Sequence, residues 1–178
     1  MKIPPRLSGL SSLIIVIAGA TFHSIGIARA SDDSPQPTSV KLSIRTIQAS
    51  EPRDISPDEG ATTQTQLDPT LGDIGAKLSR LPFAKFHLLA AKEETITLRK
   101  RNSIKLPNGQ SLAFRPMSTE NKKMGLWLNW KDSDGSEILN TRVHFDADDS
   151  VVTGTDCAHD KGLILAIKAE AIAPPPSE

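Results

Sequence analysis

The 178-residue chain has no tyrosine, one cysteine and few aromatic residues, 4% in all. A lone cysteine, Cys157, cannot form a disulfide within the chain, so stability has to come from packing. Its thiol is either buried or free to pair with another chain. Neither sign of charge is in excess: 21 Lys and Arg balance 21 Asp and Glu. That balance gives no general affinity for nucleic acid or anionic membrane. The sequence holds no G-x-S-x-G elbow, no H-E-x-x-H, no phosphate loop and no dinucleotide fingerprint. These absences point away from the common hydrolases, zinc proteases and nucleotide enzymes, and no pattern asks for a cofactor.

What is present begins with an export device. Lys2 and Arg6 precede an apolar and small-residue stretch, Leu7 to Phe22, and "ARA", Ala28 to Ala30, supplies the small residues of a cleavage site. Cleavage is expected after Ala30. The competing reading is an uncleaved anchor. Against it, the strongly apolar part is short for a bilayer, and Thr21, His23 and Ser24 interrupt any continuation of it. Removing residues 1–30 takes away three basic residues and leaves 18 against 21 acidic ones. The chain is therefore expected to be exported, to the periplasm or beyond, without stable membrane insertion after cleavage.

Residues 31–39, "SDDSPQPTS", read as a disordered leader, residues 40–170 as one domain, and residues 171–178 as a Pro-rich tail. "VKLSIRTI", Val40 to Ile47, alternates apolar and polar residues as a half-buried strand does. Residues 49–66 carry two prolines and many polar residues and are expected to form a flexible loop. A helix is expected over "LDPTLGDIGAKLSRLP". Asp68 is its N-cap and Pro69 its first residue, and Leu71, Ile74, Leu78 and Leu81 form an apolar stripe. Gly72 and Gly75 weaken that helix, a cost consistent with close approach to a sheet.

The rest of the chain reads as strands. "FAKFHLLAA" and "ETITLRK" are two strands joined at Lys92 and Glu93. Asn108-Gly109 signals a type I′ hairpin and Asp134-Gly135 a second hairpin. "SVVTG" adds a short strand, and "GLILAIKA", apolar on both faces, belongs at the centre of a sheet. The expected fold is α+β: a mostly antiparallel sheet of about seven or eight strands with one helix packed on one face.

Several residues are candidates for chemistry. Cys157 and His159, with His144, Asp156 and Asp160 nearby in type, form a weak metal-ligand or Cys–His pattern, because no recognisable zinc spacing accompanies them. The bland reading is a polar turn. "DSDGSE", Asp132 to Glu137, fails the calcium-loop spacing, since Trp130 and Thr141 stand where ligands are needed. Arg99, Lys100 and Arg101, with Lys105 and Arg115, form an anion patch or a solvated turn. Trp130 shares the phase of Leu126 and Leu128 and belongs to the core. Trp127 has the opposite phase and faces either a partner or an overlying loop. His87 sits within an apolar strand and reads as structural.

The run "LDPTLGDIGAKLSRLPFAKFHLLAA", then "LPNGQSLAFRP", a hairpin and "GLILAIKA", resembles a group of small exported bacterial proteins of uncharacterised function, over roughly residues 40–169. The resemblance implies an exported β-rich domain with a short Gly-rich turn before the last strand, where "TGTDCAHDKG" stands here. It brings no catalytic residues. The expected role is a non-catalytic domain that binds a protein or cell-envelope component, not nucleic acid, through Trp127 or exposed strand edges. The alternative is a metal-binding protein or enzyme centred on Cys157 and His159.

Overall fold

Alternating apolar residues along the strands build two sheets with a shared core between them. The computed structural model describes residues 15–17, 39–52, 65–120, 122–157 and 161–172. Ten strands lie among the described residues. They are β1 (Ile15–Ile17), β2 (Ser39–Pro52), β3 (Gln66–Leu67), β4 (Phe83–Thr97), β5 (Asn102–Lys105), β6 (Ser111–Glu120), β7 (Lys123–Lys131), β8 (Glu137–Asp146), β9 (Ser150–Cys157) and β10 (Lys161–Ile172). Six form one sheet in the order β1-β9-β10-β2-β4-β3, and four form the other in the order β5-β6-β7-β8. All pairings are antiparallel except that of β3 with β4. The architecture is α+β and mostly antiparallel, with one helical segment on one face.

The two sheets stack face to face. Val40, Leu42 and Ile44 of β2 and Leu163, Leu165 and Ile167 of β10 meet Phe114, Leu126, Leu128 and Trp130 of the four-stranded sheet in one buried cluster. A second cluster lies on the other side of the six-stranded sheet. There Ile47, Phe86, Val152, Ile164 and Ala166 pack against Leu71, Ile74 and Leu78 of the helical segment and Leu81 just after it. β10 is thus covered on both faces, which explains its unbroken apolar run; it lies between β9 and β2 as its sequence predicts.

Several local boundaries differ from the sequence expectations, each for a visible reason. The single expected sheet is two, because the chain crosses layers at Leu98–Arg101 and again after β8. At the first crossing Arg99 adopts a left-handed φ of 65° and donates its N–H to the Pro116 carbonyl. β2 runs on to Pro52 rather than stopping at Ile47, since Ile47 and Ala49 sit under the helical layer and stay paired to β4 and β10. Residues 53–64 of the expected loop lie outside the described residues. "FAKFHLLAA" and "ETITLRK" are one strand, β4, with a bulge that leaves Leu89 unpaired and 38% exposed. Lys92 and Glu93 do not turn the chain; Glu93 instead pairs with Lys41 across the strands.

The expected helix is mostly a 3-10 segment, Pro69–Ile74, followed by one α turn, α1 (Gly75–Leu78). Asp68 caps it by accepting from the Thr70 N–H and hydroxyl. The predicted stripe is buried, and one of the two glycines has the predicted close contact. A Cβ on Gly75 would lie 2.9 Å from Leu67 Cδ1, whereas Gly72 faces open space. The Asn108-Gly109 hairpin is not type I′. Only Gly109 has a positive φ, 83°, and its N–H donates to the Leu106 carbonyl. Pro107 takes the second position of a type I turn and Gly109 forms the bulge after it. Asp132 to Gly135 closes the other hairpin in the same way.

Candidate functional site

One face of the four-stranded sheet lines the core, and the opposite face carries the alternate residues of β5 to β8. Across three strands of that outer face, Arg115, Trp127 and Arg142 stand in one register row. Arg101 joins them from the crossing between β4 and β5. The Arg101 guanidinium lies 5.1 Å from the centre of the Trp127 ring and that of Arg115 lies 5.7 Å from it. Trp127 is half-buried among them. Contacts of this kind, between a guanidinium and an indole face, contribute about 0.5–1 kcal/mol each when solvent-exposed.

The indole is also held at its edge. Trp127 Nε1 donates to Asn140 Oδ1 at 2.9 Å, Asn140 Nδ2 donates to Glu137 Oε2 at 3.2 Å, and the buried Asn129 Nδ2 donates to the same oxygen at 2.7 Å. Glu137 is therefore engaged by two side-chain amides and not by an arginine. Among the described residues, no ion pair involves Arg101, Arg115 or Arg142. Arg115 Nε is buried without a hydrogen-bond partner. The face thus offers a fixed aromatic plate with two guanidinium groups against it and a third beside it in register. Guanidinium forks of this kind bind carboxylate or phosphate in two parallel hydrogen bonds.

The basic run divides between a turn and the outer face. Arg99 and Lys100 make the turn, with the Lys100 N–H donating to the Thr97 carbonyl, while Arg101 reaches the tryptophan. His144 belongs to the same outer face: a Cβ added at Gly125 would lie 3.3 Å from its imidazole and 2.7 Å from Ser118 Oγ. Cys157 ends β9 in the other sheet, and His159 and Asp160 lie outside the described residues. Among the described residues there is no group of three or more His, Cys, Asp or Glu able to hold a metal. Asp156 and Cys157 are strand residues, so the polar connection between β9 and β10 is shorter than "TDCAHDKG" suggests. Two of the three "DSDGSE" carboxylates serve their turn: Asp132 accepts from the Ser133 N–H and from Gln110, and Asp134 accepts from the Ser136 N–H. The Ser136 hydrogen bonds hold Asp134 below the usual carboxylate range. His87 is exposed rather than enclosed in an apolar strand, and its Nδ1 lies 3.5 Å from Asp68.

Asn129, Asn140 and Arg142 gave no motif in the sequence, and Glu137 entered only as the end of the failed calcium loop. The signal that finds them is register: counting back from the Asp134-Gly135 turn puts Arg142 opposite Trp127 only if the bulge at Ile138 is allowed for. A separate groove of about 390 Å³ crosses the helix-bearing side of the six-stranded sheet, lined by Lys41, Arg45, Asp73, Glu93, Lys168 and Glu170. Its charges are matched internally, with Lys41 on Glu93, Arg45 on Asp73 and Lys168 on Glu170. No family model, curated protein or solved structure matches the chain.

Proposed function

We propose that the protein is an exported, non-catalytic binding domain that engages an acidic protein or cell-envelope component through the Trp127 face. The observation that supports this reading is the set of three arginines, Arg101, Arg115 and Arg142, around Trp127 with no carboxylate paired to them among the described residues. Uncompensated guanidinium groups on a chain with no net positive charge are a local feature, not an average one. A partner carboxylate or phosphate supplies what the face lacks. Export rests on the N-terminal pattern of Lys2, Arg6 and "ARA". No helix among the described residues is long and apolar enough to cross a membrane.

The test is crosslinking in intact cells through a photoreactive residue at Ser111, on the same outer face, in the wild-type protein and in Trp127→Ala and Arg142→Glu variants. One trapped partner is expected for the wild type, lost in both variants and weakened by added salt, since exposed charge pairs are screened. A partner trapped equally by all three proteins would remove this face from consideration.

A further inference from the structure

β9 is the strand beside which the six-stranded sheet depends on residues outside the folded domain. Val151 is buried in the cluster between the sheets and Val152 in the cluster under the helical segment, so β9 borders apolar layers on both faces. Its outer edge is occupied by β1, with Ile15 opposite Gly154, Val16 opposite Thr153 and Ile17 opposite Val152. β1 lies inside the stretch that the sequence marks for removal on export. Cleavage after Ala30 therefore takes the cap away and leaves the β9 edge open.

The chain has poor replacements of its own. The leader carries Pro35 and Pro37, and the tail carries Pro174, Pro175 and Pro176, none of which can donate a ladder hydrogen bond. The cap is also imperfect. Thr153 Oγ1, at the middle of the capped stretch, is buried without a hydrogen-bond partner, and the residue opposite it is a valine.

We propose that, once residues 1–30 are removed, a second copy of the chain takes the place of β1 through its own β9. This rests on the export reading of the N-terminus. In an antiparallel pairing centred on Thr153, each Thr153 stands opposite the other, and Val152 stands opposite Gly154 of the second copy. The two unmet hydroxyls then meet each other, as cross-strand threonine pairs do. The pairing is self-complementary, as a two-fold interface requires. The apolar layers on both faces of β9 continue into the same layers of the second copy. The two-fold axis runs perpendicular to the sheet, so both four-stranded sheets lie on the same side and both Trp127 faces point the same way.

The test compares two forms of the full protein by sedimentation equilibrium. One is the chain recovered after export, its N-terminus fixed by intact mass. The other is a precursor kept uncleaved by Ala28→Arg. A concentration-dependent doubling of mass is expected in the cleaved chain alone. Hydrogen exchange on concentrating the cleaved chain should slow in residues 150–157 and stay unchanged in β8. An eight-residue peptide with the β9 sequence should return the dimer to monomer, and the same peptide with Thr153→Pro should not. A cleaved chain that stays monomeric overturns the proposal, as does a dimer without protection at 150–157 or one formed equally by the precursor. A recovered chain that still carries residues 1–30 removes the premise itself, and the mass distinguishes that result from failure of the edge pairing.

Discussion

On the helix-bearing side of the six-stranded sheet, charges come in pairs: Lys41 with Glu93, Arg45 with Asp73, Lys168 with Glu170 and Lys77 with Asp149. On the outer side of the four-stranded sheet, Arg101, Arg115 and Arg142 surround Trp127, and the acidic Glu137 is occupied by Asn129 and Asn140. Both surfaces are sheet faces with a polar exterior. The first has its charges satisfied within the chain and works to hold the helical segment and the strands in place. Arg45, for instance, bonds Asp73 through both of its terminal nitrogens and so ties β2 to the 3-10 segment. The second surface leaves Arg101, Arg115 and Arg142 without an ion pair among the described residues and uses its hydrogen bonds to fix one aromatic side chain. A balanced net charge thus conceals an unbalanced local one.

Within β7, two tryptophans three residues apart serve opposite sides of one sheet. Trp130 is fully buried and its Nε1 donates to Gln110 Oε1 at 2.8 Å. Trp130→Ala opens a cavity and orphans the buried amide, so a loss of about 3–5 kcal/mol of stability is expected. Trp127→Ala removes two guanidinium contacts and one hydrogen bond at a half-buried site, and a smaller loss of about 2 kcal/mol is expected. Urea unfolding of the two variants measures both. Equal losses would mean that Trp127 is a core residue, and the outer face would then have no claim as a binding surface.

These two residues also mark where the sequence was readable. The phase of Trp130 with Leu126 and Leu128 placed it in the core, and the opposite phase of Trp127 placed it outside, because alternation is fixed by strand geometry alone. The double-sided burial of β10 and the apolar stripe at Leu71, Ile74, Leu78 and Leu81 come from the same logic. Division into two sheets was not readable. It depends on a left-handed Arg99 at the crossing, a conformation no motif announces for arginine. The continuity of β4 through Lys92 and Glu93 was hidden as well, since these residues serve charge pairing rather than a turn: Lys92 pairs with Glu94 along the strand and Glu93 with Lys41 across it. The arginine set was split in the sequence among a turn, β6 and β8, so only cross-strand register brings it together.

A smaller effect sharpens the contrast between paired and unpaired arginines. Arg45→Ala breaks a two-nitrogen ion pair whose arginine side chain is only 15% exposed. It should lower stability by about 1 kcal/mol. Arg142→Ala breaks no ion pair among the described residues and should leave stability within about 0.5 kcal/mol of the wild type. Capture of the acidic partner should show the reverse order, abolished by Arg142→Ala and retained by Arg45→Ala. If Arg45→Ala is the variant that loses the partner, the functional cations are those of the groove beside the helical segment.

Acid should separate the two faces by the smallest margin. The hydrogen bond from Arg45 is the main reason the Asp73 carboxyl lies below its ordinary value of 3.8. A carboxyl with a depressed folded pKa contributes stability above its unfolded value. That contribution is lost as pH falls through the unfolded value and on through the folded one. The wild type should therefore lose stability below about pH 4 more steeply than Asp73→Asn, whose side chain has no proton to take up. Because the Asp73 side chain is 57% exposed, the difference should stay below about 1 kcal/mol. Arg142→Ala should track the wild type throughout, since no carboxylate among the described residues owes its acidity to Arg142. Urea midpoints for the three proteins at about pH 7 and about pH 3 give the slopes. An Arg142→Ala slope as flat as that of Asp73→Asn would mean that a carboxylate of this chain already pairs with Arg142, and that the outer face is no more open than the helix-bearing one.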